Sequence, residues 1–190
     1  MNLSPKERQL NSDPLASKLK ALIASDPLRL QILQAVKHLE LPDSWVAAGF
    51  VRNLVWDHIH QLSTSLSDID IIYFCTEDSS SLRDIELEGQ LKNSCPKLPW
   101  SVKNQARMHC RNADPAYRNC LDAMSYWPEK QTAIAARLNT NNEVELMHCF
   151  SLELLFSGKI SHNPKRQQAI FDHRVNSKGW LKTWSQLSVE

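Results

Sequence analysis

The run from Trp45 to Phe74, WVAAGFVRNLVWDHIHQLSTSLSDIDIIYF, constrains this chain more than any other stretch. Trp45 to Ala48 is a short apolar run that reads as a buried strand. Gly49 turns the chain into a helix with Val51, Leu54, Val55, His58 and Leu62 on one face. Gln61 to Ser67 is a polar loop, and Asp68 to Phe74 is a β-branched and aromatic strand that opens with two carboxylates. A strand, a glycine turn, a helix and a second strand headed by acids must pack around one place where helix end and acids meet.

Asp68 and Asp70 lie two residues apart in a strand, so they share a face, about 6.6–7 Å apart along it. Ile69 and Ile71 point the other way, into a core. Two carboxylates at that spacing suit one or two Mg²⁺ ions, which bind a few carboxylates plus substrate phosphate oxygens. Gly49 at the start of a helix lets backbone approach a phosphate, and the helix end offers unpaired N–H groups. Arg52, in the first turn, has the fork geometry for a phosphate. There is no Gly-Lys-Ser/Thr of a P-loop and no second glycine of a dinucleotide fingerprint. The plainer alternative is a tight turn at Gly49, a surface ion pair at Arg52, and a loop cap and exposed strand end at the two aspartates.

The remaining sequence organises around this unit. Asp13 to Glu40 is helical by period, and Asp26-Pro27 divides it into two helices. Ser81 with Asp84 reads as a capping box for a helix over about 82–93. Trp100 to Gln105 reads as a third strand, Gln105 to Arg111 as a helical turn, and Asn119 to Trp127 as a short helix. Thr132 to Leu138 and Glu143 to Cys149 alternate around Asn139–Asn142, a hairpin signal. Ser151 to Phe156 is a helix closed by Gly158, and Asn163-Pro164 opens a last helix that Gly179 interrupts. That order is α+β or mixed α/β, not a regular alternation of strand and helix. Residues 1–12 read as a polar N-terminal arm and residues 13–190 as a single domain.

Composition narrows the function classes. The net charge is +1, which gives no global electrostatic reason to bind nucleic acid or a membrane. Five cysteines without a CxxC pair read as free thiols in a reducing compartment, and no signal peptide or membrane span is visible. These features suggest a cytoplasmic protein. His58 and His60 do not share a helix face, so they make no metal pair. The six tryptophans read as packing residues, and Lys165, Arg166, Arg174, Lys178 and Lys182 as a solvated basic face. Lys103, Asn104, Gln105, Arg107 and His109 form a polar cluster after the third strand that either lines a cleft or opens a solvated loop.

Gly49-Phe50-Val51-Arg52-Asn53-Leu54 followed by Asp68-Ile69-Asp70-Ile71 resembles the signature of the DNA polymerase beta superfamily of nucleotidyltransferases. It is closest to the GGxVRD…DID pattern of tRNA nucleotidyltransferases. With Trp100–His109, Asp122-Ala123 and Trp127-Pro128-Glu129, the chain resembles a family of small bacterial nucleotidyltransferase-like proteins of unassigned substrate, over most of residues 40–185. The resemblance implies a nucleotidyltransferase-type fold, a mixed sheet flanked by helices. It implies Mg²⁺ held by Asp68 and Asp70, and a triphosphate near Gly49 and its turn, which includes Phe50. Arg52 is read as meeting the phosphates with Gly49, and Asn53, Lys103 and Asn104 are second-line candidates for nucleotide contact. The reaction implied is attack of an acceptor hydroxyl, on a small molecule, protein or RNA end, at the α-phosphate of an NTP.

Two departures from the superfamily pattern stand out. Phe50 takes the place of a second small residue in the glycine motif and crowds the backbone approach. A third carboxylate is expected on the neighbouring strand, where Trp100–Gln105 offers Ser101 and Lys103; Glu145 and Asp57 are the substitutes to consider. The alternative function is therefore a catalytically silent nucleotide-binding or interaction module. A metal-dependent phosphodiesterase using the same aspartates is a third.

Overall fold

A computed structural model describes residues 13–190, so the polar arm at 1–12 lies outside the described residues. Two helices come first: α1 (Pro14–Ala24) and α2 (Pro27–Lys37). Asp13 and Asp26 accept from the amides of Leu15 and Arg29, and each is followed by proline at the first helical position. β1 (Trp45–Ala47) leads into α3 (Gly49–His60), then β2 (Ile69–Tyr73), α4 (Ser81–Ser94), β3 (Trp100–Asn104) and α5 (Gln105–Asn112). After α6 (Cys120–Met124) and a 3₁₀ turn at Lys130–Thr132 come β4 (Ile134–Leu138) and β5 (Val144–His148). The chain continues as α7 (Leu152–Phe156), β6 (Lys159–Ile160), α8 (Gln168–Lys178), α9 (Trp180–Thr183) and β7 (Ser188–Val189).

The main sheet has the order β3-β2-β1-β4-β5. β2 and β3 run parallel; β1 pairs antiparallel with β2 and with β4, and β4 with β5. This is the mixed sheet of the expected fold class. Strand alternation gives it two faces. Val46, Ile69, Ile71, Tyr73, Val102 and Ala136 lie in the main core, which α1, α2, α3, α4 and α7 cover with residues such as Ile23, Leu33, Val55, Leu91 and Leu155. Trp45, Ala47, Ile72 and Ala135 lie in a second cluster with Cys120 and Met124 of α6. Burying those aliphatic side chains stabilises the fold by about 1.5–3 kcal/mol each. β6 and β7, too short to show in the sequence pattern, form a separate parallel pair.

The capping box expected from Ser81 and Asp84 does not form. Ser80 caps α4 instead, accepting from the Leu82 amide. Asp84 points into the core, 1 % exposed, where it accepts from the Tyr73 hydroxyl at 2.8 Å, from the Asn104 amide at 3.2 Å and from Arg107. Tyr73 is held protonated by this, its pKa pushed well above the ordinary value by burial and by the hydrogen bond to Asp84. Asn104 is fully buried beside it and donates to the carbonyls of Cys75 and Asp78. Asp84 thus ties α4 to β2 and β3 and fixes the start of α5.

Replacing Asp84 with alanine leaves Arg107 and the Asn104 amide without their acceptor. The expected cost is about 3–5 kcal/mol of folding stability, read as a shifted urea midpoint with an unchanged slope.

Candidate active site

The site forms where β1 passes into α3 and β2 begins. Ala48, between β1 and α3, takes φ 55° and ψ −120°, a conformation that favours glycine. For alanine it costs on the order of 1–3 kcal/mol. The turn is held by the Ala48 amide, which donates to the Ile134 carbonyl at 2.9 Å, and by the Ala48 carbonyl, which accepts from the Val51 and Arg52 amides. The sharp turn expected at Gly49 is therefore made by Ala48, and Gly49 serves closeness instead. A Cβ on Gly49 would sit 3.4 Å from Asp68 Oδ1 and 3.4 Å from Asn53 Nδ2. No side chain caps α3, and with Val51 and Arg52 bonded to the Ala48 carbonyl, the Gly49 and Phe50 amides are the ones left open at that point.

Phe50 does not crowd the approach. On the GGxVRD pattern Ala48 and Gly49 take the two glycine positions, and the Phe50 side chain is fully buried in the main core. Asn104, structural as described above, does not line the cleft either. Glu145 pairs with Arg137 at 2.7 Å, on strands separated from β2 by β1. Asp57 is occupied by Thr64 and by the Trp184 indole, which donates at 2.8 Å. Neither supplies the missing acid. Ser101 stands directly beside Asp70 in the parallel register, where the third carboxylate was expected.

Asp68 and Asp70 line one cleft of about 320 Å³ together with Gly49, Arg52 and Asn53. Asp70 has small neighbours in the sheet, Ala47 on β1 and Ser101 on β3, so space remains in front of its carboxylate. Among the described residues no hydrogen-bond donor reaches that carboxylate, while Asp68 accepts only from Ser67, at 3.3 Å. Burial and the neighbouring Asp68 charge raise the Asp70 pKa; Lys178, Arg52 and Arg174 oppose the rise. Two acids facing a cavity, one of them without a donor, form a donor set suited to a hard cation that also takes phosphate oxygens.

The same cleft is also lined by cations. The Arg52 guanidinium lies between two indoles, 4.7 Å from the Trp56 ring and 4.5 Å from the Trp180 ring. It donates to Asn53 Oδ1 at 2.8 Å and to Thr132 Oγ1 at 3.0 Å. Burial lowers its pKa to about 10, which leaves it charged at neutral pH. Arg174 and Lys178 of α8 complete the wall. The basic face expected to be solvated thus turns two of its members into the cleft. The signal was present: 174 and 178 are four apart, one position from the buried pair Phe171 and Val175, and so share a stripe beside the anchored face. Arg174 is held by Glu129, donating to Oε1 at 2.5 Å, and Thr132 donates to the same carboxylate at 2.9 Å. Lys103 lies off this cleft, near Glu88, and lines an adjoining cavity instead.

Residues 34–189 match a family described as Nucleotidyltransferase. The chain belongs to the nucleotidyltransferase family. A solution structure described as revealing a CCA-adding enzyme head domain is 30% identical, with a TM-score of 0.83, over 92% of this chain and 95% of that one. A CCA-adding enzyme complexed with CTP is 16% identical at a TM-score of 0.57, covering 92% of this chain and 43% of that one. The Thermotoga maritima CCA-adding enzyme complexed with tRNA is 16% identical at 0.58, covering 92% and 42%. These last two share the fold, and this nucleotidyltransferase-family chain spans less than half of their length. None of the curated proteins matches the chain at a significant level.

The raised Asp70 pKa has a consequence for stability. Between the ordinary carboxylate value and the raised one, the folded state holds the proton more tightly than the unfolded state does. Stability therefore falls as pH rises through that window, and the charged Asp70 destabilises the fold at neutral pH. Asp70→Asn is expected to raise the unfolding midpoint at pH 7 in the absence of divalent cations. The gain should shrink as pH is lowered toward 4.

Proposed function

We propose that this protein transfers a nucleotidyl group from an NTP to an acceptor hydroxyl, with Mg²⁺ held by Asp68 and Asp70. The observation that carries this reading is the meeting of both charges in one cleft. Asp68 and Asp70 line it together with Arg52, Arg174 and Lys178. A protein that needed neither metal nor polyanion would have little reason to keep the two acids, and Arg52 and Lys178, around one cavity without ion-pair partners among the described residues. Bound Mg²⁺ would supply charge neutralisation and in-line positioning at the α-phosphate. The open amides of α3 and the Asn53 side chain would meet the phosphates, and the cationic wall would stabilise charge developing on departing pyrophosphate. Similar folds have been determined as CCA-adding enzymes with CTP and with ATP, which supports nucleotide in this cleft. Among the described residues no helix is long and apolar enough to cross a membrane, and the proposed setting is the cytoplasm.

Ser101 beside Asp70 favours a second reading, a nucleotide-binding module without turnover. Both readings expect Mg²⁺-dependent NTP binding; only the first expects pyrophosphate. An NTP at about a hundred times its Kd should stabilise the wild type by roughly 2.7 kcal/mol in thermal unfolding with Mg²⁺. Asp70→Asn should lose that shift and all pyrophosphate release while remaining folded. Mg²⁺-dependent binding without pyrophosphate, across a panel of acceptors, would select the silent module.

A further inference from the structure

A second cavity, of about 520 Å³, also borders Asp70. It shares Ala48, Asp70, Thr132 and Arg174 with the nucleotide cleft and otherwise has its own walls. We propose that this cavity receives the acceptor, and that the acceptor is a small hydroxyl compound bearing one anionic group on an apolar body. The inference rests on the nucleotidyl-transfer reading above. It adds what that reading leaves open, the class of molecule that is modified.

The position follows from Asp70. A transferred group must meet nucleotide and acceptor at one point, and Asp70 is the acidic residue that borders both cavities. The acceptor's hydroxyl oxygen forms a bond to the α-phosphorus. The bond from that phosphorus to the bridging oxygen breaks, pyrophosphate leaves with the electron pair, and the hydroxyl proton passes to solvent. The volume lies within the range of small-molecule sites, about 300–1,000 Å³.

The chemical class follows from the lining. Ile72, Met108, Trp127 and Ile170 give an apolar surface. Lys103, Arg111, Arg166 and Arg174 give four cations, but three of them are already answered by acids. Lys103 lies 3.3 Å from Glu88, Arg166 makes a two-pronged pair with Asp114 at 2.6 and 2.5 Å, and Arg174 is held by Glu129. Arg111, exposed at the cavity wall, has no acidic partner among the described residues. One unanswered cation beside an apolar wall fits one anionic group on an apolar body. An RNA strand presents a charge at every nucleotide and is met by a track of unanswered lysines and arginines, which neither this cavity nor the net charge of +1 supplies.

Phenyl phosphate is the probe, titrated into the whole protein by calorimetry, with benzyl alcohol and a single-stranded RNA decamer beside it. The wild type should bind phenyl phosphate more tightly than benzyl alcohol, and binding should persist in the presence of saturating Mg²⁺ and NTP. Arg111→Gln should weaken it about tenfold with circular dichroism and NTP affinity unchanged. The proposal is overturned if phenyl phosphate does not bind, if it binds Arg111→Gln equally well, or if NTP displaces it. Tighter, Arg111-dependent binding of the RNA decamer would overturn it in favour of a nucleic-acid acceptor. A separate titration with Mg²⁺ and NTP tests the underlying reading. Failure of nucleotide to bind, with phenyl phosphate still held through Arg111, would leave an anion site and overturn its assignment to an acceptor.

Discussion

Glu129 has no solvent exposure, and a carboxylate so placed must be met by donors or it would destabilise the fold by several kcal/mol. Thr132 and Arg174 meet it, and Thr132 in turn accepts from Arg52. The chain of contacts Arg52, Thr132, Glu129, Arg174 joins the first turn of α3 to the turn before β4 and to the middle of α8. Arg52 is pressed further between Trp56 and Trp180, which with Trp184 and Phe171 form the apolar cluster behind the cleft. The cationic wall is therefore built from distant segments of sequence but held as one piece. The Arg52 and Arg174 charges are fixed by packing and hydrogen bonds before any ligand arrives, which is the condition for electrostatic preorganisation.

The acids of the same cleft stand under the opposite regime. Asp70 has no donor among the described residues and a like charge beside it, and the sheet places alanine and serine on either side of it. Small neighbours leave the carboxylate reachable; a larger one at Ala47 or Ser101 would close the space. Ala48 adds a strained backbone at the same point, where it brings the amide end of α3 against Asp68. Strain, unanswered charge and open amides coincide within a few residues, and each has a cost that the rest of the fold carries.

Much of this was legible in the sequence because the signals were local. Asp26-Pro27, the Asn139–Asn142 hairpin and the alternation in Asp68–Phe74 each depend on neighbouring residues, and the elements they announce are present. The pairing of Gly49 with the aspartates was also readable, since both lie in one strand–helix–strand unit. What was not readable depended on tertiary company. Asp84 looked like a cap and became a buried acceptor, because Tyr73 and Asn104 come to it from other strands. Phe50 was placed beside the phosphates by a motif laid one residue out of step, and the core claims it instead. Arg174 and Lys178 looked solvated; their spacing beside Phe171 and Val175 marked a stripe next to an anchored face, but which cleft that stripe borders depended on tertiary company.

The order of the cleft's parts along the chain has a consequence during synthesis. Gly49, Asp68 and Asp70 leave the ribosome early, whereas Arg174, Lys178 and Trp180 follow every strand of the five-stranded sheet. A nascent chain can assemble its sheet with the acids and Arg52 in place before Arg174 and Lys178 have been made. The site therefore gains two of its three cations late, and its lining is complete only when α8 docks.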